Sequence, residues 1–330
     1  MARIVKFEKT GGADVLQIVE EAPTALAENE VRINVEAVGL NRAEVLFRQG
    51  LYLEKPSLPS RIGYEAAGTV EAVGSKVEGC KVGDKVSTIP AFKMSKYGVY
   101  GDSCVVPEYA VAHYPDNLSV AEACSIWMQY LTAYGALCEL ARMSPTDYVV
   151  ITAASSSVGY AAIELCRAFG ATAIATTRGP EKKQSLLDAG AHHVIVTNEE
   201  DLVGKVMDIT KGKGASILFD AVAGPMLTQL AKAAAHGATI FEYGALSLDV
   251  TPFPLMLSLD KYLTVKGYTL FQMNQNPEYQ RRAVRYIYEA LKSGQLKPKV
   301  DKVFDSIEQI GESHRYMESN QQNGKIVVKM

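Results

Sequence analysis

The chain has 330 residues, of which 48% are hydrophobic, and its formal net charge is −3. This length favours two domains, and the near-neutral charge gives no electrostatic reason to expect nucleic acid or an anionic membrane as a partner. No apolar run is long enough to span a bilayer, residues 1–12 lack the apolar core of a signal peptide, and the five cysteines stand singly. We therefore expect a cytoplasmic protein with reduced thiols.

The first 120 residues are rich in short apolar segments separated by glycine and proline. Their patterns predict strands at Ala2–Phe7, Glu30–Gly39, Ala66–Val73, Lys85–Thr88 and Cys104–Pro107. Such a series is typical of a β-rich, partly closed barrel. Helix signals follow between Ser119 and Met143.

The middle of the chain alternates apolar strands with amphipathic helices. After a strand at Val149–Thr152 and a helix that ends at Gly170, the predicted order is strand Thr172–Thr177, a helix opened by Gly179-Pro180, strand His193–Thr197, helix Leu202–Thr210, strand Ser216–Phe219, helix Met226–Ala235 and strand Thr239–Tyr243. This alternation predicts the α/β class, with a doubly wound parallel sheet covered by helices on both faces. A long helix, Glu278–Ser293, then leads to a final strand at 324–330, which we expect to return to the first domain.

The turn after the strand at Val149–Thr152 carries the strongest functional signal. Compared with G-x-G-x-x-G, the three glycine positions hold Ala154, Ser156 and Gly159. Small residues let a phosphate approach the backbone N–H groups where a helix begins, and serine hydroxyls add donors. A helix N-cap without any ligand would use the same residues. The serine that replaces the central glycine either weakens binding or donates to the phosphate.

We expect a dinucleotide to contact the residues at this turn and at the end of the last strand of the series: Ser155, Ser156, Ser157, Val158, Gly159, Tyr243, Gly244 and Ala245. The second strand ends at Thr177 and Arg178, with Lys182 one helical turn further on. An NAD site places a carboxylate at this strand tip, whereas a guanidinium here suits a 2′-phosphate. The pattern favours NADPH over NADH, although solvated surface charges would give the same residues.

Ordered motifs extend over nearly the whole chain: Gly39-Leu40-Asn41, Arg48-Gln49-Gly50-Leu51-Tyr52, Gly63-Tyr64-Glu65-Ala66-Ala67-Gly68, Gly83-Asp84-Lys85-Val86 and Gly324-Lys325-Ile326-Val327-Val328. Together they resemble the medium-chain dehydrogenase/reductase superfamily, in its zinc-free quinone oxidoreductase and enoyl reductase branch, which includes zeta-crystallin. The resemblance implies a GroES-like catalytic domain at 1–120 and 269–330 and a Rossmann NADP(H)-binding domain at 121–268. It also implies a homodimer and adds Thr132 and Lys325 to the expected cofactor contacts.

Zinc-dependent members of this superfamily use a Cys within 39–44, a His directly before Glu65 and a Cys shortly before Thr132. This chain has Asn41, Tyr64 and Met128 at those places. An amide, a phenol and a thioether do not form a zinc site. We therefore expect no metal.

The resemblance implies hydride transfer from NADPH to a quinone or an α,β-unsaturated carbonyl compound. Tyr52 stands where zinc-free enoyl reductases have a proton or hydrogen-bond donor, and Asn41 and Tyr64 are expected beside it as catalytic residues. Each has another interpretation: Tyr52 as a packing aromatic, Asn41 as a turn residue, Tyr64 as a residue that alters the shape of the pocket. Trp127 either gates the pocket or belongs to the core.

Two other functions stay open at this stage. One is an alkene or enoyl-thioester reductase that does not use quinones. The other is a cofactor-binding structural protein of the zeta-crystallin type, with little turnover.

Overall fold

The computed structural model describes all 330 residues, which form sixteen strands and twelve α-helices. The strands are β1 (Ala2–Phe7), β2 (Gln17–Glu21), β3 (Glu30–Gly39), β4 (Ser60–Arg61), β5 (Glu65–Val73), β6 (Lys85–Thr88), β7 (Ser103–Pro107), β8 (Val111–His113), β9 (Tyr148–Ile151), β10 (Thr172–Thr177), β11 (His193–Val196), β12 (Ala215–Asp220), β13 (Ala234–Glu242), β14 (Thr264–Gly267), β15 (Val300–Phe304) and β16 (Lys325–Lys329).

The helices are α1 (Arg42–Arg48), α2 (Met94–Tyr97), α3 (Val120–Ala123), α4 (Trp127–Tyr134), α5 (Ser157–Phe169), α6 (Lys183–Asp188), α7 (Leu202–Ile209), α8 (Met226–Ala233), α9 (Leu255–Lys261), α10 (Phe271–Asn274), α11 (Pro277–Lys292) and α12 (Ile310–Glu318). A π-helical segment, Gly135–Leu140, continues α4. No helix combines the length and the apolarity that crossing a membrane requires.

The chain divides into two units: unit 1 is Met1–Met128 with Pro298–Met330, and unit 2 is Gln129–Lys297. In unit 1 the larger sheet has the order β15-β16-β3-β5-β6-β8, with β7 also paired to β3, and a second sheet has the order β2-β1-β4. Strand β16 is antiparallel to β3, where Val328 lies opposite Val38. This pairing confirms that the last strand returns to the first domain.

Unit 2 contains a six-stranded parallel sheet with the order β11-β10-β9-β12-β13-β14. Strand β9 lies between β10 and β12, so the chain winds outward in one direction and then in the other. Its buried apolar side chains, such as Val150, Ile174, Leu218 and Ile240, form one core with the helices. The predicted doubly wound sheet is confirmed, and the switch of direction at β9 and β12 is where such sheets bind ligands.

The second domain boundary predicted from the sequence, at 268/269, differs from the structure, in which unit 2 ends at Lys297. Helix α11 explains the difference, because it packs within unit 2. Its residues Ala283, Ile287 and Leu291 are buried, and Arg282 forms an ion pair of 2.8 Å with Glu139. The first boundary also lies later than predicted, at 128/129.

Candidate active site

The loop between β9 and α5 forms a tight turn at the carboxyl edge of the parallel sheet. Ser156 is the N-cap of α5, and its Oγ accepts a hydrogen bond of 3.1 Å from Gly159 N–H. A Cβ at Gly159 would collide with the carbonyl oxygen of Ala154, so this position requires glycine. The hydroxyl of Ser156 keeps its own proton for donation. The loop therefore presents the positive end of a 13-residue helix, the feature that binds phosphate.

The tip of β10 carries both a cation and an acid. Arg178 is exposed, whereas Thr177 is buried and donates through Oγ1 to the carbonyl of Gly179 at 3.3 Å. The acid is Glu181, which the sequence analysis left out. Its carboxylate lies so close to Gly179 that a Cβ at that position would collide with it. An acid at this tip favours a ribose 2′-hydroxyl, as in NADH, whereas a guanidinium favours the 2′-phosphate of NADPH.

The ends of β12 and β13 lie on the other side of the switch. The carboxylate of Asp220 is fully buried and accepts hydrogen bonds from Thr152 Oγ1, from Val222 N at 2.9 Å and from Ala223 N at 2.9 Å. These bonds fix the loop that follows β12. A Cβ at Gly244 would lie 2.8 Å from the Ala221 carbonyl oxygen, so the loop after β13 packs closely against it.

Tyr243 joins these loops to the turn between β9 and α5. Its ring stacks on Phe219 with a centroid distance of 4.0 Å, and its hydroxyl lies beside Ser156. Burial and the charge of Asp220 raise the pKa of Tyr243, so the phenol stays neutral. The structure thus brings together predicted cofactor contacts from two separate segments.

Thr132, another predicted contact, is a buried residue of α4 in unit 2, and Ala245 is exposed.

A second polar cluster lies inside unit 1. Asn41 precedes α1 in a capping box, donating from its backbone N to Glu44 Oε2 at 2.7 Å and from Nδ2 to Glu65 Oε2 at 3.2 Å. Lys325 donates to Asn41 Oδ1 at 2.6 Å and forms an ion pair with Glu65. Met128 N–H donates to the other oxygen of Glu65 at 2.9 Å. All four polar side chains, Asn41, Glu44, Glu65 and Lys325, are buried.

This cluster places Lys325 in a role that the sequence did not predict. Its side chain has no exposed surface, and its ammonium group is held by Asn41 and Glu65 in unit 1. In this cluster Lys325 orients the side chain of Asn41, and its predicted contact with the cofactor stays a prediction. An ammonium group at this point also repels any second cation, and no group of three or more His, Cys, Asp or Glu side chains is placed to hold a metal.

Glu44 is a buried member of this cluster that the sequence analysis missed. Burial raises its pKa to about 7, while the nearby charge of Lys325 opposes the rise. Its Oε1 accepts a hydrogen bond of 3.1 Å from Tyr64 N–H, so it links the start of α1 to the segment before β5. The Asn-x-x-Glu spacing of a capping box at 41–44 was the signal that could have identified it.

Tyr52 and Tyr64 share a hydrogen bond between their side chains. Burial is the main cause that raises the pKa of both phenols, so both remain protonated and able to donate at neutral pH. Tyr64 is 1% exposed and packs on Phe92, whereas Tyr52 is partly exposed. Trp127 is buried and donates to Ser87 Oγ at 2.8 Å, which makes it a core residue.

Comparisons with known proteins agree with this architecture. The family model of the alcohol dehydrogenase GroES-like domain matches residues 27–152, and that of zinc-binding dehydrogenases matches residues 157–288. Quinone oxidoreductase 1 of Escherichia coli (strain K12) is 38% identical over 222 residues, which are 67% of this chain and 66% of that protein. The match therefore spans slightly less than two thirds of that relative.

Three solved structures are similar over essentially the whole chain. The structure of Escherichia coli quinone oxidoreductase complexed with NADPH has a TM-score of 0.91 at 30% identity and covers 100% of both chains. An NAD-dependent alcohol dehydrogenase has a TM-score of 0.92 at 29% identity and 99% coverage of both chains. The CurK enoyl reductase has a TM-score of 0.87 at 26% identity, covering 100% of this chain and 99% of that one.

The chain belongs to the medium-chain dehydrogenase/reductase superfamily, in its quinone oxidoreductase branch. The predicted family and fold class are thereby confirmed.

Replacing Glu44 with Gln tests the buried cluster. Because the folded protein binds the Glu44 proton more tightly than the unfolded chain does, the contribution of Glu44 to stability falls as pH rises from about 4.5 to about 7. The difference between these pKa values corresponds to about 3 kcal/mol at most. We expect Glu44→Gln to remove that dependence. Urea unfolding followed by the fluorescence of Trp127, the single tryptophan, reports on unit 1.

Glu71→Gln is the matched control, because Glu71 is exposed on β5 in the same unit. It should leave the pH dependence unchanged. Identical pH profiles for wild type and Glu44→Gln would contradict the assignment of the raised pKa to Glu44.

Proposed function

We propose that the protein is an NADPH-dependent reductase that transfers hydride to quinones or α,β-unsaturated carbonyl compounds without zinc. The observation that carries this proposal is the tight turn between β9 and α5, where the strand order of the parallel sheet changes direction. There the N terminus of α5, the close approach at Gly159 and the exposed guanidinium of Arg178 lie along one edge. The structure of Escherichia coli quinone oxidoreductase, which has the same fold, is complexed with NADPH.

The cofactor supplies the hydride, and the residues of unit 2 hold it. Backbone N–H groups of Ser157 and Val158 and the hydroxyls of Ser155 and Ser156 would bind the pyrophosphate, since the first N–H groups of a helix lack partners within the helix. Arg178, Lys182 and Thr177 would bind the 2′-phosphate and its ribose. The remaining predicted contacts are Tyr243, Gly244, Ala245, Thr132 and Lys325.

The residues of unit 1 supply the proton and stabilise negative charge. When hydride reaches a carbonyl-conjugated acceptor, charge develops on its oxygen. Tyr52, neutral and partly exposed, donates a hydrogen bond or its proton to that oxygen or to the resulting enolate. Tyr64 orients the Tyr52 hydroxyl, and the amide of Asn41 is oriented by Lys325 and Glu65. The amide of Asn41, the phenol of Tyr64 and the thioether of Met128 are not the ligands that zinc binds in proteins.

The experiment that tests this function is NADPH and NADH oxidation with a panel of quinones, enones and enoyl thioesters, on protein whose metal content has been measured. We expect turnover with NADPH and at least one acceptor class, without stoichiometric zinc. With deuterated NADPH, deuterium on carbon in the product identifies alkene reduction, the alternative that the CurK neighbour favours. Cofactor binding without oxidation by any acceptor would instead support a structural protein of the zeta-crystallin type.

We also infer a homodimer built through the β14 edge of the unit 2 sheet. Strand β14 has no neighbour on its outer side, and the segment that leads into it exposes apolar side chains: Leu246, Leu248, Val250, Phe253, Leu255, Met256, Leu259 and Tyr262. Free strand edges and large apolar patches are typical of interaction surfaces. A second copy supplies the same edge, so the two can pair about a two-fold axis.

Sedimentation equilibrium tests the dimer and should give twice the chain mass of 35.8 kDa. The double variant Leu248→Lys with Val250→Lys should sediment as a monomer, because it places charges on the apolar patch. Val82→Lys, at an exposed apolar residue of unit 1, is the control that should stay dimeric. A monomeric wild type would reject the inferred interface.

Arg178→Ala tests the 2′-phosphate site. A charge-assisted hydrogen bond contributes roughly 1.5–3 kcal/mol, so the variant should bind NADPH about 10- to 100-fold more weakly. NADH has no 2′-phosphate, and its dissociation constant should change less than about twofold. Calorimetric titration measures both, with Lys205→Ala, on α7, as the control. Equal losses for the two cofactors would remove the argument for a phosphate at Arg178.

Tyr52→Phe tests the proton donor. Loss of a general acid should lower kcat by about 100-fold, while the dissociation constant of NADPH stays the same. Tyr109→Phe, an exposed tyrosine of unit 1, is the matched control and should keep wild-type kcat. A fully active Tyr52→Phe protein would show that Tyr52 only packs.

A further inference from the structure

Two buried carboxyl groups lie side by side at the carboxyl edge of the unit 2 sheet. Asp220 ends β12 and Glu242 ends β13, at matching positions in the parallel register. Because side chains at matching positions leave a sheet on the same face, the two groups meet. The proposed hydride transfer uses neither of them.

The surroundings of the two groups differ. Asp220 accepts three hydrogen bonds, from Thr152, Val222 and Ala223, which suits a carboxylate anion. Both carboxyl oxygens of Glu242 are buried, and no N–H or O–H group of the rest of the chain bonds to them. The side chain that interacts with the carboxyl group of Glu242 is that of Asp220.

The strands paired with β13 place no cation opposite Glu242, and the charge that acts on it is that of Asp220. Strand β12 contributes Asp220, β14 places Gly267 opposite, and β9 leads to Thr152, which is bonded to Asp220. Burial and the charge of Asp220 together raise the pKa of Glu242 to about 8. A neutral acid that donates to Asp220 satisfies both groups, whereas two adjacent anions repel each other.

The position of the pair relative to the cofactor follows from the topology and rests on the proposed function. A doubly wound sheet binds the two halves of a dinucleotide on either side of its switch. The 2′-phosphate half is assigned to the tip of β10 by Arg178. The nicotinamide half therefore lies outside the ends of β12 and β13, where Asp220 and Glu242 are located.

We propose that Glu242 is held as a neutral carboxylic acid against the carboxylate of Asp220, and that this pair sets the relative affinity of the site for reduced and oxidised nicotinamide. The oxidised ring carries a positive charge, and the reduced ring carries none. With one proton on the pair, a single negative charge faces the ring. Loss of that proton adds a second negative charge, which attracts only the oxidised form.

The test is the ratio of the dissociation constants of NADP⁺ and NADPH, measured by calorimetry between pH 6.5 and pH 9.5. Both forms carry the same phosphates, so the ratio cancels every ionisation that they share. As pH rises through about 8, the ratio in the wild-type protein should fall by about five- to tenfold, because the added negative charge stabilises only the bound oxidised ring. This measurement needs no variant.

Glu242→Gln keeps the size and the hydrogen bond to Asp220 but cannot ionise, so its ratio should stay at the low-pH value. Glu164→Gln is the control, because burial also raises the pKa of Glu164, to about 7, but it lies about 12 Å along α5 from the N-cap. It should keep the wild-type dependence. A wild-type ratio that does not change with pH would overturn this inference without affecting the proposed function. The same holds if the ratio depends on pH equally in the wild type and in Glu242→Gln. If neither cofactor binds, the proposed function fails with it.

Discussion

The close packing of α5 against the end of β9 is the constraint on which the rest of unit 2 depends. Gly159 lies against the carbonyl of Ala154, and this contact brings the N terminus of the helix to the edge of the sheet. The order of strands then places the end of β10 on one side and the ends of β12 and β13 on the other. Serines at the turn are compatible with this geometry, since Ser156 caps the helix and retains its proton.

Charge balance organises unit 1 in the same way that close packing organises unit 2. One buried ammonium, Lys325, lies beside Glu65 and Asn41, with Glu44 bonded to the same asparagine. A buried pair of this kind is held in place because removing one partner leaves an uncompensated charge. It fixes the orientation of Asn41 and, through Glu44, the backbone of Tyr64. The hydroxyl groups proposed to act on the substrate are thus supported by a rigid polar interior.

Periodicity in the sequence predicted the strands of the two larger sheets well where the strands were buried, as for β3 and β10, whose bounds match. Edge strands such as β14 and β15 were missed because they carry charged or polar residues and bury few side chains. The contact between Lys325 and Glu65 was not predicted, because the two residues are 260 positions apart in the sequence. Pairing of Asp220 with Glu242 likewise depends on strand register, which local sequence does not specify.

The order in which the chain is synthesised gives one consequence of building unit 1 from both ends. Lys325 leaves the ribosome only after the whole of unit 2 has been made. Until then the carboxylate of Glu65 has no countercharge, and β3 lacks its β16 neighbour. Domains generally fold as units, in the order of their synthesis. Here unit 2 is complete first. The N-terminal segment of unit 1 gains the countercharge for Glu65 only when Lys325 has been synthesised.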